Sequence, residues 1–309
     1  MQTLMQTAQS LPAAVPAALY PFTSHVLDRN GIGYHYVDEG QGEPVVMLHG
    51  NPTWSFYYRN LVGALKGSYR TVVPDHVGMG LSDKPNDDRY DYRLKSRVDD
   101  LEALLAHLGL NSGPKLTLVM HDWGGMIGMA YAARHAERIG RLVLMNTAAF
   151  HLPSDIGLPL ALRAIRDTPL GAVAVRGFNA FSRIAAHVGA KRPKLTPAMR
   201  DAYCAPYHSW QSRIATLRFV QDIPLKTGDP SYATVTEAQD GLPLFRSTPT
   251  MFAWGMKDFV FSPKVLEHWR QHWPNAEVHT FADCGHYVLE DAATEVCALV
   301  EAFLSRNPL

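Results

Sequence analysis

The chain has 309 residues, 47% hydrophobic and 19% charged, enough to enclose one large core with an insertion. Lys plus Arg and Asp plus Glu number 29 each, so the formal charge is zero, and neither a basic nucleic-acid face nor an acidic tail is expected. No apolar run reaches the roughly 18 residues that span a bilayer. Cys204, Cys284 and Cys297 are odd in number and lack CxxC spacing, which argues against a disulfide framework or a cysteine zinc site.

In chain order, residues 1–22 are rich in Ala and Pro without a positively charged start. They read as a loose N-terminal extension rather than a secretion signal, and a cytoplasmic location is expected. Strands are predicted at Ile32–Asp38, Pro44–Leu48, Thr71–Pro74, Leu116–His121, Leu142–Asn146, Thr250–Trp254 and Glu277–Phe281. Several are continuous apolar runs, as suits parallel strands covered on both faces. Helices are predicted at Leu94–Leu108, Gly124–Arg138, Val265–Trp273 and Thr294–Leu304. In the first, Leu94, Val98, Leu101, Leu104, Leu105 and Leu108 keep a 3.6-residue period. The alternation defines an α/β class with a mostly parallel sheet and helices on both faces. Between 150 and 225 the strands stop and Arg, Pro and aromatics take over. This segment is read as a helical cap, with the core formed by 23–149 and 226–309. Such an insertion would lie over the carboxyl edge of the sheet, where ligands bind.

Chemistry concentrates in Leu116-Thr-Leu-Val-Met-His-Asp122-Trp-Gly-Gly125, a strand running through a tight turn into a helix. The context resembles the nucleophile elbow of the α/β-hydrolase fold, with Asp122 where serine usually stands and Met120 where the serine version has Gly. The helix N-terminus should keep the Asp122 carboxylate ionised near neutral pH. The alternative is that Asp122 only caps the helix. Among fourteen histidines, His286 follows the candidate last strand, and Asp258 follows the strand before it. Nucleophile, acid, histidine is the chain order of that fold. Asp258 would orient the His286 imidazole and stabilise its charged form, or else cap a helix beginning near Pro263. Asn146 is an amide at the other place for the acid, and Asp283 reads as a turn residue. In His49-Gly-Asn51-Pro52 a backbone N–H, with that of Trp123, is placed for an oxyanion hole. The Asn51 amide and Trp123 indole are further donors for a leaving group, although Asn51 could be only a turn amide. Gly78-Met-Gly80 and Gly31/Gly33 read as turns, since neither completes GxGxxG.

An aspartate nucleophile narrows the reaction. Attack on a carbonyl would give a reactive anhydride, whereas displacement at sp3 carbon gives an alkyl ester. The substrate therefore carries a halide, an epoxide oxygen or the alkyl oxygen of a strained lactone as leaving group. No metal or other cofactor is expected.

His49-Gly-Asn-Pro-Thr, Gly78-Met-Gly-Leu-Ser-Asp-Lys-Pro85 and His121-Asp-Trp-Gly-Gly together resemble the haloalkane dehalogenases. Position by position, the resemblance implies Asp122 as nucleophile, His286 as base, Asp258 as acid, and Asn51 with Trp123 holding the leaving group. A narrower resemblance spans nearly the whole chain, through Val73–Pro85, Tyr90-Asp-Tyr, Ser96–Leu101, His121–Gly128, Asn146–Phe150, Asp222–Leu225, His286–Asp291 and Arg306–Leu309. These segments are similar to the β-lactone decarboxylases of bacterial long-chain olefin biosynthesis. That resemblance implies a hydrophobic cis-3,4-dialkyl β-lactone substrate and a multienzyme assembly with the lactone-forming partner. Haloalkane dehalogenase is the alternative. Epoxide hydrolase, a further one, would need two cap tyrosines, for which Tyr203 and Tyr207 are candidates. Phe150, Ile165, Phe178, Phe181, Ile184 and Phe219 would line an alkyl channel or form the cap's own core.

Overall fold

Eight strands make one sheet in the computed structural model, which describes residues 10–309 except 154 and 193. They are β1 (Ser24–Asp28), β2 (Gly33–Glu39), β3 (Pro44–Leu48), β4 (Arg70–Pro74), β5 (Leu116–Asp122), β6 (Ile139–Thr147), β7 (Thr250–Gly255) and β8 (Glu277–Phe281). The order is β1-β2-β4-β3-β5-β6-β7-β8; β2 runs antiparallel to both β1 and β4, and all other pairs are parallel. The central strands β3, β5 and β6 are buried along their whole length, which is why they read as unbroken apolar runs. β1 went unpredicted. Its Ser-His-Val-Leu-Asp is half-buried at the sheet edge and carries no apolar run.

The helices are α1 (Arg59–Leu65), α2 (Leu94–His107), α3 (Trp123–Arg134), α4 (Leu160–Asp167), α5 (Pro169–Phe178), α6 (Ala180–Val188), α7 (Pro197–Cys204), α8 (Ile214–Gln221), α9 (Tyr232–Gly241), α10 (Pro263–His272), α11 (Val288–Asp291) and α12 (Ala293–Arg306). Helix α3 stops at Arg134, four residues before the predicted end, and Ala136–Arg138 continues as a short 3-10 turn. Helices α4 to α8 follow one another between β6 and β7; Ser154 and Pro193 of this stretch lie outside the described residues. Residues 1–9 of the expected extension also lie outside them. The remainder is not loose: Val15 and Tyr20 are buried. The Tyr20 hydroxyl meets Ser55 Oγ at 2.5 Å, and its ring lies 5.1 Å from Trp54. Aromatic contacts of Tyr20 with Phe22, Trp54 and Phe56 and a buried hydrogen bond outweigh the turn-forming composition that suggested an arm.

Crossovers that are all parallel after β4 bring the carboxyl ends of β3, β5, β7 and β8 to one edge. The glycines of the elbow make the closest approach there. A Cβ at Gly124 would press into the Leu48 carbonyl, and one at Gly125 into Thr147 Oγ1. Gly124→Ala should therefore cost about 1–3 kcal/mol by overpacking, seen as a lowered thermal midpoint. An unchanged midpoint would show that the helix can back away from β3.

Candidate active site

Asp122 ends β5 and turns the chain into α3 with φ 52° and ψ −124°. That conformation is costly for a residue with a Cβ, of order 1–3 kcal/mol. Two contacts hold it: Thr147 Oγ1 donates to the Asp122 carbonyl at 2.5 Å, and β6 pairs alongside. The side chain does not cap α3. Its Oδ1 instead accepts the Asn51 backbone N–H at 2.8 Å, and the Trp123 backbone N–H also favours the charged carboxylate. Asp122 Oδ2 lies 3.5 Å from His286 Nε2.

His286 sits between two carboxylates. Its Nδ1 is 2.8 Å from Asp258 Oδ2. The other Asp258 oxygen accepts the Val260 N–H at 2.7 Å, so Asp258 is spent on the loop and the imidazole and does not cap α10. Asn146 joins the ends of β6 and β7, donating to the Gly255 carbonyl at 3.0 Å and accepting its N–H at 2.8 Å. Asp283 stands at the surface against Arg192.

Electrostatics follow from burial, since Asp122, Asp258 and His286 are all nearly inaccessible. Desolvation raises the Asp122 pKa; the His286 charge and the Asn51 and Trp123 N–H groups pull it back without cancelling the rise. For His286, burial disfavours the charged form, but the Asp258 and Asp122 carboxylates outweigh it and raise its pKa. Both shifts are upward, so the carboxylate facing an imidazolium belongs to the pH interval between the raised Asp122 value and the raised His286 value.

The two side chains expected to hold a leaving group sit as follows. The Asn51 Nδ2 donates to the Thr216 carbonyl of α8 at 3.0 Å, which leaves one amide hydrogen and a buried, unpartnered Oδ1. Trp123 lines the cavity, with Phe219 packed on its ring at 5.2 Å. The cavity encloses about 360 Å³. Asn51, Asp122, Trp123 and His286 are its polar corner, and Leu158, Leu162, Ile165, Phe181, Val220 and Phe261 are among its apolar walls. Of the six expected channel residues, Ile165, Phe181 and Ile184 line it. Phe150 is buried against Trp269, Phe219 lies behind Trp123, and Phe178 faces outward. Neither cap tyrosine reaches the cavity: Tyr203 donates to Glu290, and Tyr207 bonds the Thr53 carbonyl at 3.4 Å. That removes the acid pair an epoxide-opening site would use. Among the described residues, no group of His, Cys, Asp and Glu is placed to hold a metal ion.

Two supports escaped the sequence reading. Asp75 is fully buried after β4, where it accepts the Ser55 and Leu81 N–H groups and faces His35 Nδ1 at 2.8 Å. Burial works against its charge, but His35 and then His49 hold the carboxyl down at about 2. It fixes the chain just beyond Asn51. His121 Nε2 bonds the His286 carbonyl at 2.9 Å, and its ring stacks on Tyr57 at 4.4 Å, setting the loop that carries His286. A buried charge directly after an apolar strand was the available signal for Asp75, and the position next to Asp122 was that for His121.

A family model of the α/β hydrolase fold matches residues 43–293. A cis-3-alkyl-4-alkyloxetan-2-one decarboxylase of Shewanella oneidensis is 60% identical over 289 residues, covering 94% of this chain and 90% of that protein. A decarboxylase of the same name from Xanthomonas campestris is 48% identical over 298 residues, covering 94% and 98%. Haloalkane dehalogenase 2 of Mycobacterium tuberculosis is 32% identical over 288 residues, covering 92% and 96%. Among solved structures, haloalkane dehalogenase DatA from Agrobacterium tumefaciens C58 shares the fold, with a TM-score of 0.83 at 24% identity over 95% of this chain and all of that one. The chain belongs to the α/β hydrolase fold family and, within it, to the family of the cis-3-alkyl-4-alkyloxetan-2-one decarboxylases.

The approach of Gly50 to Asp122 yields a local test. A Cβ at Gly50 would collide with the Asp122 carboxylate. Gly50→Ala should lower turnover by about 100-fold, the scale of a 1 Å misplacement, while circular dichroism stays native. Retained turnover would mean that Asp122 is not held where the reaction needs it.

Proposed function

We propose that this protein converts cis-3,4-dialkyl β-lactones to cis-olefins and CO2, a carboxy-lyase reaction with Asp122 as nucleophile. The observation that carries this reading is near-full-length identity of 60% to an enzyme of that name. The site supports it with an ionisable carboxylate at the closed end of an apolar cavity. We take α4 to α8, within residues 150–225, as the cap over a core of 23–149 and 226–309.

In this scheme Asp122 Oδ2 attacks lactone carbon C4 with inversion. The C4–O bond breaks, and its electron pair goes to the departing carboxylate, received by the Asn51 amide and Trp123 indole. The C3–carboxylate bond then breaks, its electrons form the C3=C4 double bond, and the Asp122–C4 ester bond leaves as the Asp122 carboxylate. Inversion followed by anti elimination is a net syn loss, so a cis ring gives a cis alkene. No water and no net proton enter. Asp258 holds the His286 imidazole, and His286 steadies the Asp122 charge as it departs. The substrate would come from a lactone-forming enzyme, in keeping with a multienzyme assembly.

One observation favours a second reading. The His286–Asp258 pair, with Nε2 close to Asp122 Oδ2, is also the geometry that activates water against an alkyl ester. In a haloalkane dehalogenase that step completes turnover.

A paired assay separates the two. Purified protein with a cis-dialkyl β-lactone should release cis-olefin, seen by gas chromatography, and Asp122→Ala should reduce this to background. Long-chain bromoalkanes should give little halide in the parallel vial. Halide without olefin would overturn the decarboxylase reading. The pH profile gives an independent check. Attack needs ionised Asp122 and an imidazolium to steady it, so the olefin rate should rise through a midpoint above the ordinary aspartate value and fall beyond one above the ordinary histidine value. Hydrolysis needs neutral His286, so it would rise again through a midpoint above the ordinary histidine value. A second rise in olefin formation would contradict a scheme without water.

A further inference from the structure

Helix α5 is apolar on both sides. Ala174 and Val175 line the cavity, whereas Leu170, Val173 and Phe178 stand exposed, Leu170 at 80%. Leu170, Val173 and Gly177 are spaced three and four apart, so they form one outer stripe. The Trp210 ring lies beside Gly177, half exposed, with the Arg176 guanidinium 4.6 Å from its centroid. A helix apolar all round is ordinarily buried, yet nothing among the described residues covers this stripe. The neighbouring helices extend it, with Leu160 on α4 and Ile184 on α6 exposed at 81% and 59%. Six of the ten exposed large hydrophobics among the described residues fall between 160 and 210. Ile184 and Phe259 are exposed and also line the cavity, so the cavity mouth opens on an apolar rim.

Charge segregates in the same direction. Residues 150–225 hold ten Lys and Arg against four Asp, a net +6, which leaves −6 for the rest of this neutral chain. Arg163, Arg183, Lys191 and Lys194 are exposed there. The net charge is not needed by the cavity, whose walls beyond the polar corner are apolar.

We propose that the outer faces of α4, α5 and α6 dock on an anionic lipid bilayer surface, with the cavity mouth turned toward the acyl layer. Protruding Leu and Phe side chains beside scattered cations are the composition of an interfacial contact, and a tryptophan with a cation suits the headgroup level. Charge complementarity favours lipid as the occupant: Arg163 on α4 and Arg183 on α6 are exposed on the same helices as the apolar side chains and would meet anionic headgroups. No helix of the described residues is long and apolar enough to cross a membrane, so the contact is peripheral. An apolar substrate dissolved in the bilayer would enter past Ile184 and Phe259 without crossing water. The inference does not rest on the decarboxylase reading, because its readout is binding rather than turnover.

The full chain is sedimented with sucrose-loaded vesicles of phosphatidylcholine, with and without phosphatidylglycerol. It should pellet with the anionic vesicles, less so with pure phosphatidylcholine, and should be released by high salt. Leu170→Gln with Val173→Gln should weaken pelleting strongly. Arg163→Gln with Arg183→Gln, which touches no apolar contact, should weaken it about fivefold per arginine. None of these four side chains lines the cavity. Failure to pellet, or pelleting that ignores both lipid charge and both double variants, overturns the proposal. So does self-association in solution that the Leu170/Val173 variant abolishes, which would make a second copy the occupant.

Discussion

A carboxylate buried where water scarcely reaches it is the constraint on which this structure turns. Burial opposes the Asp122 charge, and only fixed partners can offset it: the Asn51 and Trp123 N–H groups and the His286 imidazole. Each partner comes from a different part of the chain, the turn after β3, the start of α3 and the loop after β8. The sheet order that brings those carboxyl ends together is therefore a requirement of the charge. Room must also be left beside it, which is why a side-chain-free residue stands at Gly50, while Gly124 lets the helix pack against Leu48. Desolvation has a chemical return as well. A carboxylate stripped of water is a stronger nucleophile toward sp3 carbon, and the same dry walls receive alkyl groups.

The supports are layered outward. Asp258 divides its two oxygens between His286 and the Val260 N–H, so the acid is oriented by its own loop. His121 holds the His286 backbone from behind. Asp75, held by His35, pins the chain beyond Asn51. Asn51 then reaches α8 through Thr216, so the polar corner of the cavity is closed by contact between the sheet edge and the helices above it. A change in those helices can thus reach the donors without touching Asp122.

Much of this was legible in the sequence because burial leaves a strong imprint. β3 and β8 match the predicted limits, and β5 and β7 overrun theirs by a single residue; β3, β5 and β7 are buried along their whole length and so read as apolar runs, whereas β8 is a half-buried edge strand. Asp122 ends its strand, and Asp258 and His286 stand three and five residues past theirs, in the chain order that marked them. β1 was hidden because an edge strand need bury little. Helix α1, with Gly63 in its middle, is held by tertiary packing more than by its own propensity. The channel lining was half right because periodicity locates the apolar face of a helix without saying what that face meets. Phe178 faces solvent while Phe181, three residues on, lines the cavity, since the left-handed Asn179 between them starts a new helix.

The central claim, that the Asp122 carboxylate opens the ring itself, is tested most directly by rapid-quench mass spectrometry during a single turnover of a cis-β-lactone. The account predicts a transient adduct carrying the full mass of the lactone, mapped to Asp122 on the peptide that spans β5 and α3, decaying as cis-olefin appears. Olefin formed through a complete turnover with no mass added at Asp122, or an adduct on another residue, would contradict it.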